Sequence, residues 1–218
     1  MIGASIRPAL GAAILAVSVP LFLSSAPARA QQPAPSAGQH EHDGFFMRFV
    51  LGPSVVLATT EVDGEELTAD GVGGTLHVAL GFNILPKLIL YGEVFDDVTV
   101  NPTVAVGDDE MELEDAAFGV VGLGVGLAYY LPRNVYVSAA ASLANLRADY
   151  RDESGDIQSS ESDSGFGVNL VVGKEWWVGD DWALGGAIQL FLASVPDDEV
   201  DDAWAVAAVG AGLSITYD

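Results

Sequence analysis

Residues 165–194 read GFGVNLVVGKEWWVGDDWALGGAIQLFLAS, and their alternation decides the fold. Phe166, Val168, Leu170 and Val172 alternate with Gly165, Gly167, Asn169 and Gly173. After Gly179-Asp180-Asp181, residues Leu184, Ile188, Leu190 and Leu192 share one face, opposite Ala183, Gly185, Ala187 and Gln189. A period of two is that of a strand, so the stretch predicts two long strands and a tight turn. One face is greasy. The other is small or weakly polar and too poor in charge to be the water-facing side of a soluble sheet. Trp176, Trp177 and Trp182 gather beside the turn, as rings do in an interfacial belt. If the greasy face meets lipid, every bare backbone group in hydrocarbon costs several kcal/mol and the sheet must close on itself. The hairpin therefore predicts a transmembrane barrel.

The same alternation recurs along the chain. A first strand near Phe45 to Ala58 turns Met47, Phe49, Leu51, Val55 and Leu57 outward and Arg48, Val50, Gly52 and Ser54 inward. Facing lipid near the midplane, an arginine would cost about 2 to 4 kcal/mol, so Arg48 belongs inside. A strand from about Gly71 to Ile84 places Thr75, His77, Ala79, Gly81 and Asn83 inward, and one from Leu88 to Asp97 does the same with Ile89, Tyr91, Glu93 and Phe95. Strands from Ala116 to Leu131, Val135 to Arg147, the opening hairpin and Ala203 to Tyr217 complete eight. The all-β architecture expected is an eight-stranded antiparallel up-and-down barrel over residues 45–218. Its three short turns lie on one rim, and four long acidic loops lie on the other. The run Gly122-Leu123-Gly124-Val125-Gly126 lacks the third glycine, at Leu127, and the following helix that a dinucleotide loop needs. Small residues filling a narrow barrel explain it instead.

Residues 1–30 combine a cationic start at Arg7, an apolar core from Leu10 to Leu23 and a small-residue end at Ala28-Arg29-Ala30, which predicts a secretory signal peptide. Export through a Gram-negative periplasm follows, with residues 31–44 as a flexible periplasmic tail. There is no cysteine, so pairing alone holds the fold. The chain carries 8 Lys and Arg against 31 Asp and Glu, a formal charge of −23. Nucleic acid is excluded as a natural partner, because phosphate binding needs a basic face. The acids cluster in 61–70, 96–115, 149–163 and 197–202, the four long connections.

These features resemble the small eight-stranded outer-membrane barrels, the superfamily that includes OmpX, OmpW and the OmpA transmembrane domain. Gly212, Ile215 and Tyr217 resemble that superfamily's terminal assembly signal, a glycine followed at alternate positions by apolar and aromatic residues. Here Asp218 follows the aromatic, where such chains usually end on it. The resemblance implies insertion by the barrel-assembly machinery and a surround of outer-membrane lipid and lipopolysaccharide.

Within the barrel, Arg48, Glu93 and Glu175 are expected near one another, with His77, Asn169, Gln189 and Tyr91 completing a polar network, since a buried arginine with two carboxylates is satisfied by pairing. That network acts as a plug or as a narrow ion path. The aromatic belt expected at the short-turn rim comprises Tyr129, Tyr130, Tyr136, Trp176, Trp177 and Trp182. Catalysis on lipid, known in this superfamily, needs a base beside a nucleophile. His77 is the only histidine of the barrel, and the spacing pairs none of Ser138, Ser142 or Ser214 with it, so no turnover and no cofactor are expected. Dense carboxylates in the outer loops could take divalent cations and bridge to lipopolysaccharide phosphates, although no calcium-loop spacing is present. The expected role is structural or surface-interactive through those loops. A narrow channel for small solutes and a lipid-modifying enzyme are the alternatives.

Overall fold

Large apolar side chains point outward on every strand, and closure into a ring is what allows this. The structure, a computed structural model, describes residues 44–107, 109–151, 154–198, 200 and 202–218. The expected signal peptide and the tail up to residue 43 lie outside the described residues. The strands in chain order are β1 (Phe45–Val62), β2 (Glu65–Leu85), β3 (Leu88–Val100), β4 (Thr103–Val106), β5 (Asp109–Glu112), β6 (Ala116–Leu131), β7 (Val135–Arg151), β8 (Ile157–Glu161), β9 (Gly165–Trp177), β10 (Trp182–Val195) and β11 (Trp204–Tyr217). Eight of them form the ring β1-β11-β10-β9-β7-β6-β3-β2, and β1 pairs with both β2 and β11, so the ring has no edge. Pairing is antiparallel throughout. Pro53 keeps its place opposite Gly74 of β2, while the pairing with β11 skips Gly52 and Pro53. The proline's missing N–H thus falls where the ladder is already interrupted.

The exterior answers the expectation of inverted polarity. Leu51, Leu80, Val94, Val125, Val137, Leu170, Ile188 and Leu213, one from each ring strand, are 43–65% exposed. Soluble monomers rarely expose contiguous apolar patches beyond a few hundred Å². A belt running round the whole circumference is a lipid-facing surface.

Three of the four acidic segments are more ordered than the loops the sequence suggests. β1 and β2 continue in register to Val62↔Glu65, so residues 61–70 form a hairpin end and not a loop. Its turn, Asp63-Gly64, has φ of 54° and 80°. Two positive φ values make the type I′ geometry that matches strand twist, and Asp-Gly suits it. The 96–115 segment makes β4, paired to the overhanging end of β2, and β5, paired to β4. Segment 148–164 extends β7 to Arg151 and lays β8 against it. Backbone pairing there outweighs charge repulsion because the carboxylates stay in water: every residue of β5 and β8 is exposed. The short turns fall at Pro86-Lys87, at a single 3-10 turn over Pro132–Asn134, and around 178–181, as expected.

Candidate functional site

The lumen is filled from one rim to the other by alternating apolar and polar layers. Toward the short turns, Phe46, Val50, Ile89, Tyr91, Tyr130, Tyr136 and Val171 form one buried apolar cluster. Toward the long hairpins, Val56, Phe95, Phe118, Leu146, Phe191, Trp204 and Val206 form another. Phe95 and Phe191 face each other across the barrel with ring centroids 4.7 Å apart. The inward glycines make room for these rings. Phe95 occupies the space a Cβ on Gly122 would take, Tyr91 does so at Gly126, Tyr136 at Gly173, and Phe191 at Gly167. Gly122, Gly126 and Gly173 lie directly opposite their aromatic partners in the register. The glycine run of β6 is therefore half of an aromatic-on-glycine packing device, the same pairing that strengthens glycine-bearing strands elsewhere.

The expected single network around Arg48, Glu93 and Glu175 is instead three separate ones. The first centres on Glu93, whose Oε2 lies 2.8 Å from His77 Nε2 while its Oε1 accepts from Ser142 Oγ at 3.0 Å and Asn169 Nδ2 at 3.3 Å. The second centres on Glu175, which accepts from Ser214 Oγ at 2.7 Å, Thr216 Oγ1 at 2.6 Å and Tyr130 OH at 3.1 Å. Tyr136 OH sits 3.2 Å from Ser214 Oγ. With Ser214 donating to Glu175, Tyr136 donates to Ser214. The third, toward the long hairpins, joins Gln189 Nε2 to Asp97 Oδ2 at 3.0 Å and to Thr75 Oγ1 at 3.3 Å. Asp97 is the last residue of the strand expected from Leu88, and its charge groups it with the acidic cluster 96–115 and not with the lumen. Its parity with Glu93 and Phe95 is the signal that places it inward.

Arg48 is fully buried and makes no ion pair with Glu93 or Glu175. Its guanidinium carbon lies 4.2 Å from the Tyr136 ring centroid, 5.4 Å from Phe46 and 5.8 Å from Tyr91, and Nη2 donates to Ser138 Oγ at 3.2 Å. Aromatic faces take the place of carboxylates, each such contact contributing about 0.5 to 2 kcal/mol when desolvated. Alternation places Arg48 inside, but ring faces and not carboxylates take its charge.

The belt also needs correction. Tyr129, Trp176 and Trp182 are outward and 43–59% exposed, as a belt requires. Tyr130 and Tyr136 are buried in the lumen, 1% and 0% exposed, with ring centroids 5.5 Å apart. They lie next to Tyr129 and Val135, which face out, so alternation turns them in. Trp177 shares the inward parity of Glu175 and is half-buried at the rim. Tyr217 replaces them, its ring 5.1 Å from Trp182 and 6.4 Å from Phe45. Of the residues resembling an assembly signal, Ile215 is exposed on the outer face beside Tyr217, and Gly212 packs against the backbone of Leu51.

His77, Glu93 and Ser142 do come together, but not as a nucleophile and its base. Ser142 donates to Glu93, and all three are sealed between the two apolar clusters. Among the described residues, no three His, Asp or Glu side chains converge as a metal site.

A closed eight-stranded ring, an apolar belt around it and an interfacial aromatic girdle at its short-turn rim define a small transmembrane β-barrel. Among solved structures the chain is similar to the outer membrane protease OmpT from Escherichia coli, at 9% identity and a TM-score of 0.51 over 81% of this chain and 97% of that one. It is also similar to Neisserial surface protein A, at 14% identity and a TM-score of 0.49 over 80% of this chain and 97% of that one, and to OprG from Pseudomonas aeruginosa, at 13% and 0.45 over 81% and 97%. No protein-family model and no curated protein matches the sequence.

Proposed function

We propose that the protein is a sealed barrel that acts at the cell surface through its acidic long-hairpin rim, in a structural or interactive role without catalytic turnover. In this reading residues 1–30 direct export, both termini lie on the periplasmic side, and the last strand is recognised by the barrel-assembly machinery. The observation that carries it is the contrast between lumen and rim. Two aromatic layers and three buried carboxylate networks fill the interior, while β5, β8 and the hairpin end of β1 and β2 hold their carboxylates out in water. With carboxylates dispersed along exposed strands, the rim attracts counter-ions and cationic surfaces diffusely, and this attraction weakens with salt.

The channel alternative is tested in planar bilayers. Refolded protein is expected to give no unitary conductance steps at 100 mV in 1 M KCl, and reproducible steps would overturn the sealed lumen. The lipid-modifying alternative is tested with His77→Ala. Membrane lipid profiles of cells carrying it are expected to match those of cells carrying the native chain, because His77 only supports Glu93.

A further inference from the structure

Of the three carboxylates buried in the lumen, Asp97 is the one left without compensation. Glu93 has His77 Nε2 at 2.8 Å, and Glu175 has three hydroxyl donors. Asp97 is 0% exposed and receives one aligned hydrogen bond, from Gln189 Nε2 to Oδ2 at 3.0 Å. Neither lumen cation meets it. Arg48 is boxed by rings in the layer toward the short turns, and His77 turns its Nε2 to Glu93. An ionised carboxylate taken out of water without a paired cation is among the costliest groups a folded chain can bury.

The layer round Asp97 is made of oxygens. Asp97 Oδ1, Gln189 Oε1 and Ser54 Oγ each lack a hydrogen-bond partner, and the residues that carry them are almost fully buried. Thr75 Oγ1 accepts from Gln189 Nε2 at 3.3 Å, and the Thr75 and Ser54 hydroxyls both lie beside the Asp97 carboxyl. Four strands supply these groups, namely β1, β2, β3 and β10, and the fifth, β11, supplies Gly210. That glycine is paired to Ser54 on one side and to Gln189 on the other. A Cβ there would come within 2.9 Å of the Thr75 methyl, so its absence lets Thr75 close in on the layer. Buried acceptors left unpaired are costly, and here they surround an uncompensated negative charge.

We infer that this layer binds a hard monovalent cation such as sodium, with Asp97 Oδ1 and Gln189 Oε1 as ligands and the Ser54 and Thr75 hydroxyl oxygens completing the set. Carboxylate, amide carbonyl and hydroxyl oxygens are the donors such ions take. One ion relieves both costs, since it pairs the carboxylate and gives the stranded oxygens a partner. The ligand set carries a single formal charge, because Glu93 is committed to His77, Ser142 and Asn169. A divalent ion would therefore bring an unbalanced positive charge into a site walled off from water. The ion ties β1, β2, β3 and β10 together across the lumen. The inference rests on the sealed-lumen reading above and adds to it the ion that holds its middle closed.

The test is urea unfolding of the refolded protein in short-chain phosphatidylcholine vesicles, with sodium chloride exchanged for N-methyl-D-glucamine chloride at one ionic strength. Holding ionic strength fixed keeps the screening of the acidic rim constant. For the native chain, the unfolding equilibrium constant is expected to fall about tenfold as sodium replaces the organic cation from about 50 to about 500 mM. Asp97→Asn is expected to lose that dependence. Ser54→Ala, which keeps the charge and removes one ligand, is expected to weaken it, and it carries the test should Asp97→Asn fail to refold. A native chain indifferent to the exchange overturns the ion. A sodium dependence of native size in both variants overturns its assignment to this layer, and a larger shift with calcium that vanishes in Asp97→Asn overturns the monovalent choice. Failure of the two readings is told apart by the bilayer recording. Sodium indifference without conductance steps sinks the ion alone, whereas reproducible steps sink the sealed lumen and the closing role of the ion with it.

Discussion

Val125→Arg is expected to destabilise the barrel by about 2 to 4 kcal/mol when unfolding is followed by guanidinium titration in short-chain phosphatidylcholine vesicles. Val125 lies on β6 between the belt residue Tyr129 and Val121, faces outward and is 63% exposed. In a water-soluble sheet a side chain so exposed could become arginine for about 0.5 kcal/mol or less. The two environments thus predict different outcomes for one substitution. Thr59→Arg is the internal control, since Thr59 shares the outward face of β1 but lies two residues beyond Leu57, toward the acidic hairpin, where the cost of a cation falls to about 0 to 1 kcal/mol. Equal small costs at both positions would remove the membrane from the account.

The fold was legible because two-residue alternation is read locally, strand by strand, and lipid on one side leaves no ambiguity about which face is which. Strand β6 is found at the bounds its sequence suggests, Ala116 to Leu131. What could not be read is what one inward side chain does to another across the barrel. Alternation alone turns Arg48 inward, but its partners come from β3 and β7 as well as β1, at separations no local pattern records. The acidic segments misled for a different reason. Charge density resembles a solvated loop, and only the register of β1 against β2 or β8 against β7 reveals that backbone pairing persists above the membrane. Aromatic composition near a turn suggests a belt position for Tyr130 and Tyr136, whereas alternation from Tyr129 and Val137 turns both inward.

Phe191→Ala is expected to cost about 3 to 5 kcal/mol in the same vesicle assay, more than any apolar truncation on the outer face. Phe191 is 0% exposed, packs at a tilt against the Phe95 ring and lies over Gly167, so its removal empties the centre of the upper cluster. Phe166, on the adjacent strand and 78% exposed, loses only lipid contact on the same substitution, and lipid refills the space. Gly167→Val approaches the device from the other side: the added side chain meets the Phe191 ring and over-packs the lumen for about 1 to 3 kcal/mol. If ring and glycine are one unit, Gly167→Val combined with Phe191→Ala is expected to cost less than the sum of the two, because the valine fills part of the space the ring vacates. Strict additivity would mean that the ring and the glycine are independent. A conductance assay on Phe191→Ala completes the argument. The Arg48, Tyr136 and Tyr130 layer below is untouched, so the barrel is expected to remain closed even with its upper cluster hollowed out.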